Sequence, residues 1–207
     1  MGNDTSKPSN RMAVSALSHM MKLTKPQLLE LRDKCLSVSE TGNDVPTPSG
    51  YRLHRAAFLD AMTETVAVEP DYQVLEQLFV MWDKNGVDWV DPLAFLAGIG
   101  PLASVMDVAA KLKFSIEVYD YKKSGCISRE DLVAVLEAIN TTSSYFGDAV
   151  LQKNQVGVIV DDLFADEKLI EDDNAIIYSE KVYKVTNHPL VAEFTSGAGS
   201  ARYGTTQ

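Results

Sequence analysis

Asp120, Ser124, Cys126, Ser128 and Asp131 stand at the first, fifth, seventh, ninth and twelfth places of one short stretch, Asp120–Asp131. A 12-residue helix–loop–helix calcium loop needs oxygen donors at those places, with a backbone carbonyl at the seventh and a glycine at the sixth for the sharp turn. Gly125 supplies the turn and Ile127 an apolar eighth place. Two places depart from that chemistry. Lys122 puts a positive charge at the third place, where Coulomb repulsion weakens any cation. Asp131 ends the loop with a carboxylate shorter than glutamate, which favours a smaller six-coordinate shell and so magnesium over calcium. The stretch predicts weak binding of magnesium or calcium, with no cofactor required.

Other stretches keep the frame and lose more of the ligands. Asp83–Ala94 offers Asp83, Asn85 and Asp91 at places one, three and nine. It has Val87 and Ala94 at five and twelve, and Asp88 where the turn glycine belongs. Without the bidentate twelfth residue, no physiological calcium site is expected there. Pro46–Ala57 contains no carboxylate and is expected to bind nothing. Asp166–Lys181 is acidic but runs to 16 residues and ends on Lys181, which cannot ligate; it reads as a solvated acidic loop.

Such loops work only between paired helices, and the chain carries a recurring signal for them. An apolar residue at the eighth place and another just past the twelfth appear as Leu53 with Phe58, Val90 with Phe95, Ile127 with Leu132, and Ile177 with Val182. The recurrence predicts an all-α fold of four degenerate helix–loop–helix units in two paired lobes. A short two-stranded ribbon would join each pair, Leu53 opposite Val90 and Ile127 opposite Ile177. The divisions expected are a flexible segment over 1–23, a first pair over 24–104, a second over 105–192 and a flexible tail over 193–207. Within the first pair, Thr24-Lys-Pro-Gln27 reads as a capping box. Leu28, Leu31, Cys35 and Val38 then form an apolar stripe at helical spacing. Residues 41–50 read as a loop and His54–Val66 as a helix, with a short helix over Met12–Met21.

Composition narrows the function. The formal net charge of −10 argues against nucleic acid, which rewards clustered lysine and arginine. Cys35 and Cys126 lie far apart and in no metal-ligand spacing, which suggests a reducing compartment and a cytoplasmic address. No apolar run approaches the roughly 18 residues of a membrane span. Met1-Gly-Asn-Asp-Thr-Ser6 fits the pattern for myristoylation of Gly2, so a membrane contact is expected only if Gly2 is acylated. The three histidines, His19, His54 and His188, sit apart and beside no nucleophile, and no phosphate-cradling glycine loop is present; catalysis is not expected.

Lys111–Asp120, Gly125–Leu132, and Met81–Asn85 followed by Trp89–Asp91 resemble the calcineurin B and neuronal-calcium-sensor branch of the EF-hand proteins. Within that branch the likeness is strongest to calaxin and the EF-hand subunits associated with axonemal outer-arm dynein. It spans residues 50–190, and the departures are the twelfth places, Ala94, Asp131 and Lys181, where calcium-sensing members keep glutamate. The resemblance implies a non-catalytic regulatory or docking subunit whose groove grips an amphipathic helix of a larger partner, in an axonemal dynein or its docking apparatus, in a cilium or flagellum. Candidate groove residues are Phe79, Trp82, Leu96, Phe114, Ile116, Leu136 and Ile139; each also fits an interhelical core. The alternative is a calcium-responsive sensor of the calcineurin B type that acts through the third loop.

Overall fold

The computed structural model describes residues 23–42, 44–65, 72–103, 108–146, 150–165 and 174–191. Gly2, the helix expected over Met12–Met21 and the tail over 193–207 lie outside them. The molecule is mostly helical with small antiparallel sheets.

The first helix, α1 (Lys25–Val38), starts where the capping box places it: Gln27 Oε1 accepts the Thr24 backbone N–H at 2.9 Å, and Pro26 sits in the first turn. Its inward stripe is Leu28, Leu31, Arg32 and Cys35. Val38, expected to close that stripe, is 49% exposed, and Arg32 is buried in the same face. Burying a guanidinium is tolerated only if its donors are satisfied. Arg32 Nη1 donates to the Glu117 carbonyl at 2.8 Å and Nε to Asp33 at 2.7 Å.

Strands β1 (Glu40–Thr41) and β2 (Tyr51–His54) follow, then α2 (Arg55–Thr65) and α3 (Tyr72–Trp82). Strand β3 (Trp89–Val90) leads into α4 (Pro92–Ala103). β2 pairs antiparallel with both β1 and β3, with Leu53 opposite Val90 as the apolar markers require. The strand at Glu40–Thr41 falls at the edge of a stretch that reads as loop, because a two-residue polar strand carries no alternation to detect.

Helices α5 (Val108–Tyr119), α6 (Arg129–Phe146) and α7 (Lys153–Phe164) follow, with β4 (Cys126–Ser128) between the first two. After β5 (Ala175–Ile177) come a 3-10 turn (Tyr178–Glu180) and the short α8 (Val182–Thr186). β4 pairs antiparallel with β5, but Ile127 faces Ile176, and Ile177 faces Cys126. The expected register is off by one residue. Side chains alternate between the two faces of a strand, so one residue of slip exchanges inside for outside. Ile176 is 3% exposed and Ile177 51%, so burial selects Ile176 as the ribbon residue.

One apolar core runs through both halves, from Leu28 and Phe58 to Val160 and Val185. Phe58 meets Phe79 and Phe95 edge to face at ring distances of 5.3 and 4.9 Å, geometries aromatic pairs prefer. Helix α4 packs on both α5 and α6, across the boundary expected at 104. Two glycines allow this. A Cβ on Gly98 would lie 2.6 Å from Trp82 and from Thr142 Oγ1, and one on Gly100 2.3 Å from the Phe114 ring.

Candidate metal centre

The loop after α5 is held by its first residue. Asp120 Oδ1 accepts the Ser124 N–H at 2.7 Å and the Ser124 hydroxyl at 2.8 Å, while Oδ2 accepts the Gly125 N–H at 2.8 Å. Lys123 and Gly125 take the left-handed backbone that bends the loop, with φ of 57° and 76°. At the ninth place Ser128 serves the next helix: its Oγ accepts the Asp131 N–H at 3.0 Å and donates to Asp131 Oδ2 at 2.8 Å. Asp120, Ser124, Cys126 and Asp131 line a cavity of about 140 Å³ together with Tyr119, Tyr121, Lys122 and Ile127. Burial pushes the Asp131 carboxyl above its ordinary range, opposed by its bond from Ser128. The Lys122 ammonium lies 5.9 Å from the Tyr121 ring, on its face. Tyr119 also lines this cavity; its hydroxyl is buried and among the described residues has no hydrogen-bond partner.

The loop between α3 and α4 uses its carboxylates differently. Asp83 accepts the N–H groups of Val87 and Asp88, each at 2.8 Å. Asp88 takes a φ of 63° at the sixth place, where glycine would cost nothing, and its carboxylate meets Arg55 Nε at 2.6 Å. Asp91 caps α4 through the N–H groups of Leu93 and Ala94 at 3.0 and 3.1 Å. It also grips the preceding loop, through the Ser49 hydroxyl at 2.8 Å and the Ser49 N–H at 3.2 Å. Burial raises the Asp91 pKa, and those bonds pull it down. Asn85 is exposed. The loop over Pro46–Ala57 brings no carboxylate of its own; Thr47 Oγ1 donates to the Tyr51 carbonyl at 2.8 Å.

The β4–β5 register also rephases the fourth loop. With Ile176 as the eighth residue, Asn174 is the sixth, and its φ of 45° matches the turn at Asp88 and Gly125. By the same count the first place is Leu169, not Asp166, and the twelfth is Glu180, not Lys181. Tyr178, two residues beyond Ile176, reaches back into the third loop. Its hydroxyl donates to Asp120 Oδ2 at 3.1 Å, and its N–H to the Gly125 carbonyl at 3.3 Å. Burial, then the neighbouring Asp120, raise its pKa. Nothing in the sequence pattern marked Tyr178, because its position opposite Asp120 depends on a pairing between segments 58 residues apart.

Of the candidate groove residues, Phe79, Leu96, Phe114, Ile116 and Leu136 are closed inside the core. Trp82 and Ile139 are half-buried and packed against it. Trp82 also borders a cavity of about 270 Å³ between the first two loops and α6, together with Trp89, Pro46, Pro48 and Lys84. The loop over Asp120–Asp131 touches β2 directly: the Tyr121 ring packs edge-on against Tyr51 at 5.8 Å. His54 pairs with Glu40 at 3.2 Å and His188 with Asp162 at 3.1 Å. Among the described residues no helix is long and apolar enough to cross a membrane.

Part of the chain is similar to guanylyl cyclase-activating protein 2. The frog protein (Lithobates pipiens) is 34% identical over 65 residues, which is 31% of this chain and 32% of the relative. The chicken protein (Gallus gallus) is 31% identical over 67 residues, 32% of this chain and 33% of the relative. The chain thus spans about a third of the length of these curated relatives. No family model matches, and no solved structure matches. The similarity supports the EF-hand, neuronal-calcium-sensor branch and gives no support to calaxin in particular.

Proposed function

We propose that this chain is a non-catalytic EF-hand regulatory protein that acts on a protein partner and responds to a divalent cation through its third loop. Four degenerate hands in two pairs make up its frame. The left-handed turns at Asp88, Gly125 and Asn174, each two residues before a ribbon residue, support three of those hands; in the first loop the left-handed residue is Gly50, three before Leu53. The relatives act, by their name, on a guanylyl cyclase, which supports regulation of a partner over unconditional docking in a dynein complex.

The observation that carries the cation reading is the oxygen cluster of the third loop. Asp120, Ser124 and Asp131 converge with the Cys126 carbonyl, 3.4 Å from Ser124 Oγ, around one cavity. All are oxygen donors, which suits a hard cation such as magnesium or calcium. Tyr119 lines the same cavity, and its buried hydroxyl has no partner among the described residues. Lys122 leans on Tyr121, and its charge still opposes the ion. In the second loop Val87 and Ala94 offer no side-chain oxygen at the fifth and twelfth places, and Asp91 is held by Ser49 and the start of α4.

Calorimetric titration of the full chain with magnesium and with calcium tests this. One site should appear, weaker than the roughly 10⁻⁵ M limit of sensor loops, and Asp120→Ala should abolish it. A site that survives Asp120→Ala would overturn the assignment to the third loop.

A further inference from the structure

We propose that Tyr178 sets how strongly the third loop takes up its cation, by holding a ligand oxygen that the ion must win. This rests on the third-loop reading above. An ionised carboxylate offers about four lone-pair sites. Those of Asp120 are met by four donors: the N–H and hydroxyl of Ser124, the N–H of Gly125 and the hydroxyl of Tyr178.

These donors are not equally able to yield. The two N–H groups belong to the turn itself, and losing them would unmake the loop. The Ser124 hydroxyl can rotate its hydrogen away and present a lone pair to an ion. Tyr178 comes from a different segment and is fixed by the β4–β5 register and its own N–H bond to Gly125. Its side chain is largely buried. Rotation of the Ser124 hydroxyl opens Oδ1, but an ion that also takes Oδ2 must displace the Tyr178 hydroxyl, and the cost falls on affinity. The same contact makes the fourth unit sense the state of the third.

The test compares full-length wild type, Tyr178→Phe and Asp120→Ala by magnesium and calcium calorimetry. Phenylalanine keeps the ring, so far-ultraviolet circular dichroism should match wild type, while the cation-free melting temperature should fall by a few degrees for the lost bond to Asp120. Removing a hydrogen bond to a charged group should tighten cation binding by roughly tenfold. The tyrosine difference spectrum of wild type should change on cation addition, and that component should be missing in Tyr178→Phe. Unchanged affinity in Tyr178→Phe, with Asp120→Ala still abolishing binding, would refute the role of Tyr178 while leaving the third-loop site intact. Weaker binding would make the phenol a ligand and also refute it. Absence of any binding in wild type and Tyr178→Phe at millimolar cation would sink both readings.

Discussion

The second and third loops start alike and finish differently. Each opens with an aspartate that accepts two N–H groups of its own turn, Asp83 from Val87 and Asp88, Asp120 from Ser124 and Gly125. Each has a ninth residue that caps the next helix, Asp91 on α4 and Ser128 on α6. The divergence lies in what the cap leaves over. Asp91 is a carboxylate with no acid at the twelfth place to answer, and it spends its remaining capacity on Ser49 in the neighbouring loop. Ser128 is neutral, so Asp131 keeps an oxygen set beside the cavity. A degenerate ion loop can thus turn into a structural clasp when a carboxylate at the ninth place gives its oxygens to N–H and hydroxyl donors instead of to an ion.

Asp91→Ala should break the clasp and give the largest effect. It leaves the donors of Ser49, Leu93 and Ala94 without their acceptor, costing about 3 kcal/mol. For a domain of this size that lowers the melting temperature by roughly 10 °C. Cation binding measured below the transition should be unchanged, and a loss of binding would show that the second loop takes part.

Lys122→Asp sharpens the contrast from the other side. It replaces a repelling charge with an oxygen ligand at the third place, and calcium affinity should rise by roughly tenfold or more. Calorimetry reads this directly. No gain would mean that the third place faces away from the ion.

Ala94→Glu supplies the second loop with its missing twelfth carboxylate. Because Val87 offers no oxygen at the fifth place and Asp91 is held by Ser49 and the start of α4, no second site should appear in the same titration. A new stoichiometric calcium site would show that the clasp yields easily and that the two loops differ by one residue alone.

The smallest effect expected is on thiol labelling. Cys126 is half exposed in the third loop, whereas Cys35 lies in the core, where burial pushes its thiol up to about 12. The thiolate is the reactive form, so Cys126 should be alkylated in the native protein and Cys35 only on unfolding. Mass spectrometry of the labelled protein distinguishes the two, and saturating cation should slow labelling at Cys126 modestly.

The sequence alone determined what local chemistry can determine. The start of α1 followed from Thr24 and Gln27, and the facing of Leu53 and Val90 followed from their shared place in two copies of one pattern. A 12-residue loop dictates which places carry oxygen; of the places so named, Asp120, Ser124, Cys126 and Asp131 lie around one cavity, whereas Ser128 turns to cap α6. The tertiary structure decided the rest, and each case has the same physical cause. Ile176 and Ile177 are identical side chains on adjacent residues, so apolarity cannot choose between them; only burial against the core does. The Ser49–Asp91 clasp, the Arg32 bond to the Glu117 carbonyl and the Tyr178 bond to Asp120 join residues 42, 85 and 58 positions apart. Such pairs follow no helical or strand period, because a carboxylate or guanidinium taken out of water accepts whichever partner the packed chain brings within reach.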